Sequence, residues 1–201
     1  MAAILDVLIP QQNFELIRNK VGLIIAEECA NQFTLGVTQL ENLQVFVDRF
    51  VPIQVEECPV VNVSLDSVSF TAEDAISQTG DDKYFVDVYT RGKTTTTKRG
   101  DEISSFDCAR ILGIIRAILE NPRYNTLGFA KPSIERVTVE SIQMAQPNDT
   151  KDASNIKMGR LSLLVKRRET VQLVEGDPSG GVNTSIKLAE TDFGFKYIDT
   201  N

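Results

Sequence analysis

Across residues 13–33, Phe14, Ile17, Val21, Ile24 and Ile25 return at steps of three and four, with Glu15, Arg18, Glu27 and Asn31 between them. That spacing predicts a long amphipathic helix. Asn13 is its expected N-cap, and Gly36 lies just past its expected end. An apolar stripe of this length needs a cover, and the segments that follow offer a sheet. In residues 60–70, Val61, Val63 and Leu65 alternate with Asn62, Ser64 and Asp66, the period-two mark of a strand with one wet face.

Residues 44–50 and 83–90 read as further strands, and residues 91–101 as an exposed polar loop with glycine near both ends. A second helix is expected over residues 105–120. Ser104 and Asp107 match a capping box, and Ile111, Leu112, Ile114, Ile115, Ile118 and Leu119 form a broad apolar face. Asn121-Pro122 stops it. Strand patterns return over residues 133–144 and 159–174, separated by a polar loop at 146–157. The order of helix, strands, helix, strands predicts an α+β fold, an antiparallel or mixed sheet packed with two main helices. Residues 1–174 form the expected domain. Residues 175–201, where apolar residues lose any clean period, read as an extended C-terminal arm.

The chemistry is narrowed by what the 201 residues lack. There is no histidine, which excludes Ser-His-Asp and Cys-His catalysis and every His-containing zinc site. Gly176-Asp-Pro-Ser-Gly-Gly181 looks like the nucleophile segment of trypsin-like proteases only superficially, because Pro178 interrupts it and no base exists. The three cysteines, Cys29, Cys58 and Cys108, are too few and too widely spaced for a disulfide scaffold or a metal site. They read as free thiols of a reducing cytosol. No basic leader or long apolar run marks the sequence, so neither a signal peptide nor a membrane contact is expected.

Asp81 and Lys83 form a D-x-K of the kind magnesium nucleases use, with Asp66 and Asp87 on neighbouring strands. Against that remote alternative stands a solvated turn, and no metal, cofactor or catalytic residue is assigned. Arg91, Lys93, Lys98 and Arg99 are more informative. Nine residues carry four positive charges and no negative one, in a chain whose net charge is −7. Such a loop suits phosphates or an acidic partner.

Two segments carry a family likeness. Ile9-Pro-Gln-Gln-Asn-Phe-Glu-Leu-Ile-Arg-Asn-Lys-Val-Gly-Leu-Ile-Ile-Ala-Glu-Glu-Cys-Ala-Asn-Gln32 resembles the opening of tail-terminator (tail-completion) proteins of tailed bacteriophages. Cys108-Ala-Arg-Ile-Leu-Gly-Ile-Ile-Arg-Ala-Ile-Leu119, with Tyr124-Asn-Thr-Leu-Gly-Phe129 after it, resembles that family's second helix and the short segment following it. The resemblance implies a non-enzymatic virion protein, assembled in the cytoplasm of the bacterial host. It implies a homo-hexameric ring that caps the head-proximal end of the tail tube, stops its polymerisation and joins tail to neck. The implied partners are copies of itself, the tail tube protein, a neck or connector protein, and DNA in passage. Another neck or tail component, or the cap of a contractile injection machine, is the alternative. The arm after Glu175 and the loop at 146–157 depart from a minimal terminator. In a ring, Arg91, Lys93, Lys98 and Arg99 would face the lumen or the next ring, and Phe193, Phe195, Tyr197 and Ile198 would anchor the arm on a neighbour.

Overall fold

A computed structural model describes residues 8–74, 77–129, 133–145, 156–170, 187–191 and 194–198. Its main body spans Gln11–Val171. Two helices, α1 (Asn13–Thr34) and α2 (Gly100–Leu119), cover one face of a five-stranded sheet. The strands are β1 (Gln44–Val47), β2 (Val60–Ala72), β3 (Ser77–Arg91), β4 (Ile134–Ala145) and β5 (Ile156–Thr170), in the order β1-β2-β3-β5-β4. Only β1 and β2 run parallel; every other pair is antiparallel. The fold is therefore α+β with a mixed sheet.

The core forms where the two periods meet. Ile17, Val21, Ile24, Ile25 and Cys29 from α1, with Cys108, Ile111, Leu112, Ile115 and Leu119 from α2, lie on Val61, Val63, Tyr84, Val86, Val88, Leu161, Leu163 and Val165. Each fully buried branched side chain contributes about 1.5–3 kcal/mol relative to exposure, so this layer dominates stability. Alternate positions point to the opposite face, which mixes charged and polar residues with Val60, Phe85, Tyr89 and Leu164. There Asp87 lies across from Arg160, and Asn62 across from Asp87.

Several boundaries differ from expectation for identifiable reasons. The N-cap of α1 is Gln12, whose N–H donates to Glu15 Oε2 at 2.8 Å. Asn13 is instead the first helical residue, and its side-chain amide donates to Glu169 at 2.5 Å. Past the helix, Gly36 takes φ +102°, a left-handed conformation that glycine reaches without a Cβ penalty. β1 stops at Val47 because Asp48 turns to φ +49°. α2 starts five residues before the expected position, with Arg99 as N-cap. Ser104, expected to cap it, lies inside the helix, donating to the Asp101 carbonyl at 3.0 Å and accepting Thr90 at 2.7 Å.

β3 begins at Ser77, so Asp81, Asp82 and Lys83 sit inside a strand and not in a solvated turn. β5 starts at Ile156, taking the last two residues of the expected polar loop; residues 146–155 and 171–174 lie outside those described. β6 (Lys187–Thr191) and β7 (Gly194–Ile198) pair antiparallel in a separate unit.

Candidate assembly surfaces

The basic loop joins β3 to α2. Arg91 ends β3, Arg99 caps α2, and Lys93 and Lys98 lie between; all four are exposed, and none forms an ion pair among the described residues. The threonines order the loop. Thr95 accepts the Lys98 N–H on its hydroxyl at 3.1 Å, and Thr94 accepts the Gly100 N–H at 3.1 Å. At the root, Gly92 and Gly100 are buried against each other. The charges thus stand at the N-terminus of α2, where unpaired backbone N–H groups add positive potential. Such an end attracts anions and repels cations.

A second surface follows β1. Phe50 is 89% exposed and Val51 65% exposed, yet the segment carrying them is tied down on both sides. The Arg49 N–H donates to Asn62 Oδ1 at 3.0 Å, and the Asn62 amide returns a bond to the Arg49 carbonyl at 3.2 Å. The Arg49 guanidinium grips both oxygens of Glu57 at 3.0 and 2.8 Å and stacks over the Phe46 ring at 4.5 Å. Hydrogen bonds from Arg49 and the Gln54 backbone hold the Glu57 carboxyl below the ordinary glutamate range. On the other side, Asp48 pairs with Arg18 of α1 and accepts the Leu65 N–H at 3.3 Å. Glu56, next to the Arg49–Glu57 pair, is exposed.

A third surface is a groove of about 450 Å³ between α1 and α2 on the helix layer. Ile114, Ala117 and Ile118 form its apolar wall, and Arg110 and Arg123 stand at it, both exposed. Its floor is fixed where the Tyr124 hydroxyl donates to Glu28, a bond that raises the tyrosine pKa.

The far end of the sheet holds a buried polar cluster that sequence patterning misses. Arg167 Nε meets Asp82 Oδ2 at 2.7 Å, with the two side chains 1% and 0% exposed. Arg167 also pairs with Glu169 and lies over the Phe70 ring at 4.7 Å. Glu169 further accepts from Asn13 and from Gln78 at 2.5 Å each. Burial pushes Asp82 above the ordinary aspartate range, and Arg167 pulls it back only part of the way. Burial also pushes Glu169 up, but the bonds from Asn13, Arg167 and Gln78 outweigh it and the net shift is downward. This cluster fastens the start of α1 to β3 and β5.

The D-x-K residues are spread along strands and engaged elsewhere. Asp81 pairs with Lys166 at 3.9 Å, Lys83 with Glu140 at 3.7 Å, and Asp87 with Arg160 at 2.7 Å, while Asp66 falls in the bulge of β2. Among the described residues, no group of three or more Cys, Asp or Glu side chains could hold a metal ion. Cys29 and Cys108 are buried, and desolvation lifts both thiols to about 11. Of the expected arm anchors, Phe195, Tyr197 and Ile198 lie on β7, opposite Glu190, Leu188 and Lys187. Phe193 lies outside the described residues. No described helix is long and apolar enough to cross a membrane.

Neither protein-family models nor curated protein sequences match this chain. Its surfaces are therefore interpreted from their own chemistry. They present four exposed cations with no ion pair among the described residues, an exposed phenylalanine on a braced segment, and an open groove with arginines beside it. Phe50 and the groove are the parts sequence reasoning missed. The run Phe50-Val51-Pro52-Ile53, apolar without a period, was the available signal for the first.

Proposed function

We infer that the chain is a structural virion protein of a tailed bacteriophage, a tail terminator. In this reading, copies form a ring on the head-proximal end of the tail tube, end its polymerisation and join tail to neck. The basic loop carries the reading furthest. Arg91, Lys93, Lys98 and Arg99 concentrate positive charge at one end of an acidic subunit, on a segment ordered by its own threonines and rooted at Gly92 and Gly100. Placed at the lumen of a ring, these charges would meet the phosphates of passing DNA without reading its sequence. Placed between rings, they would meet an acidic neighbour.

The distribution of apolar groups supports the same reading. Phe50 and the α1–α2 groove are different patches, as head-to-tail contacts require, whereas a two-fold dimer uses one self-complementary patch. The experiment is light scattering with negative-stain microscopy of the purified protein, paired with deletion of the gene in the phage. A ring of about six subunits with an open centre, together with tails of uncontrolled length in the deletion, is the expected result. A compact two-fold dimer, or normal tails without the gene, overturns the reading.

A further inference from the structure

We propose that the segment carrying Phe50 and Val51 is a preformed plug, and that its socket is the groove between α1 and α2 of a second copy of this chain. The inference rests on the ring-subunit reading only for how the resulting contacts close.

Exposing a phenylalanine almost completely keeps a large apolar surface in water, and a loop free to move would fold it inward. Here it is prevented from doing so. The two backbone bonds to Asn62, the contacts of Arg49 Nη2 with both Glu57 oxygens and the Phe46 stack fix the residue before Phe50, and the Asp48–Arg18 pair fixes the one before that. An aromatic held in advance loses little conformational entropy on docking, the property that makes an anchor effective.

The socket has matching properties. Its volume of about 450 Å³ accepts an aromatic ring, and Ile114, Ala117 and Ile118 give it an apolar wall. A Cβ added at Gly113 would meet nothing within 4 Å, so the groove is open at that point. Charge selects the occupant. Glu56 stands exposed six residues from Phe50, while Arg110 and Arg123 line the groove and form no ion pair among the described residues. Glu28 also lines the groove but accepts the Tyr124 hydroxyl, so the two arginines supply the charge that faces an acidic plug. Because plug and socket lie on different elements, each copy offers one of each, as the head-to-tail contact of the ring reading needs.

The test is sedimentation velocity of the full-length protein over a concentration series reaching about 1 mM, with circular dichroism to verify folding. Phe50→Ser removes the plug, and Gly113→Trp fills the socket from a position with open space. Each should weaken self-association by about thirtyfold or more, as loss of a central anchor does. Glu56→Arg alone and Arg110→Glu with Arg123→Glu should each weaken it, and the three changes combined should recover at least about tenfold. A wild-type protein that stays monomeric over the whole series overturns the plug and socket but leaves the ring reading to the phage deletion. Rings unaffected by Phe50→Ser and Gly113→Trp overturn the plug and socket while supporting the ring. Two-fold dimers abolished by Phe50→Ser and untouched by Gly113→Trp overturn both. Association lost in both variants, with normal tails in the gene deletion, supports the plug and socket and overturns the terminator reading.

Discussion

Gly92 approaches Gly100 so closely that a Cβ placed on Gly92 would stand 1.8 Å from the Gly100 carbonyl oxygen and 2.8 Å from the Ser104 nitrogen. Both are backbone atoms that cannot swing away. This contact closes the root of the basic loop and sets where α2 begins.

Gly92→Ala should therefore force the chain apart at that root. The cost expected is about 3 kcal/mol or more, at the upper end of overpacking effects. For a chain of this size that lowers the melting temperature by roughly 6–12 °C. Gly113→Ala is the matched control, since its Cβ meets nothing and alanine is favoured over glycine inside a helix by about 0.5–1 kcal/mol. Thermal unfolding that ranks the two variants equally would contradict this account.

The early start of α2 explains what was and was not legible in the sequence. Its apolar face from Cys108 to Leu119 is periodic, so the helix and its buried side follow from local pattern. Its first turn is Gly-Asp-Glu, which carries no apolar period and is held in place by a contact with Gly92 across the loop, outside any helical spacing. The same distinction separates the two halves of β3. Tyr84, Val86 and Val88 alternate visibly, whereas Ser77 to Asp82 reads as polar and becomes strand because β2 and β5 flank it. Asp82 looks solvated in sequence, and only the register opposite Val165, two residues before Arg167, supplies a buried partner. The basic loop was legible because charge needs no partner to be seen. The plug was not, because its bracing depends on Asn62 across the β1–β2 edge.

Removing the Asp82 carboxylate should cost far more than a surface charge. Asp82→Ala leaves Arg167 charged and sealed from solvent, and breaking one side of such a pair destabilises by about 3–5 kcal/mol. Replacing both, as Asp82→Leu with Arg167→Met, removes the buried cation that Glu169 alone would otherwise balance and should recover part of that loss. Urea denaturation of the single and double variants measures the difference. A single variant within about 1 kcal/mol of wild type would mean the pair is effectively hydrated.

Glu169 gives the protein an acid-sensitive contact at the start of α1. Its folded pKa lies below the ordinary glutamate value, so its contribution is present above about pH 4.3 and is lost as pH falls through the folded value. Asp82 acts with the opposite sign. Its folded pKa is raised, so the pH-dependent part of its contribution is full below about pH 3.9 and is lost as pH rises through the folded value, while its pairing with Arg167 remains. Glu169→Gln should accordingly be less stable than wild type near neutrality, with the gap closing below about pH 4. Urea midpoints at several pH values read this directly, and a gap that stays constant on acidification would exclude Glu169 as the source.

The basic loop should separate stability from function. Lys98 and Arg99 stand at the N-terminus of α2, where the helix dipole disfavours cations by about 0.3–1 kcal/mol each. None of the four basic residues has an ion pair among the described residues to lose. Changing Arg91, Lys93, Lys98 and Arg99 together to glutamine should leave the melting temperature unchanged or slightly raised. If the loop faces DNA in an assembled ring, the same variant should bind duplex more weakly, with a salt slope reduced by up to about 0.9 for each phosphate contact removed. Phage titre should fall with it. A variant that is stable, binds DNA with the wild-type slope and supports a normal titre would reduce the loop to a solvated connection between β3 and α2.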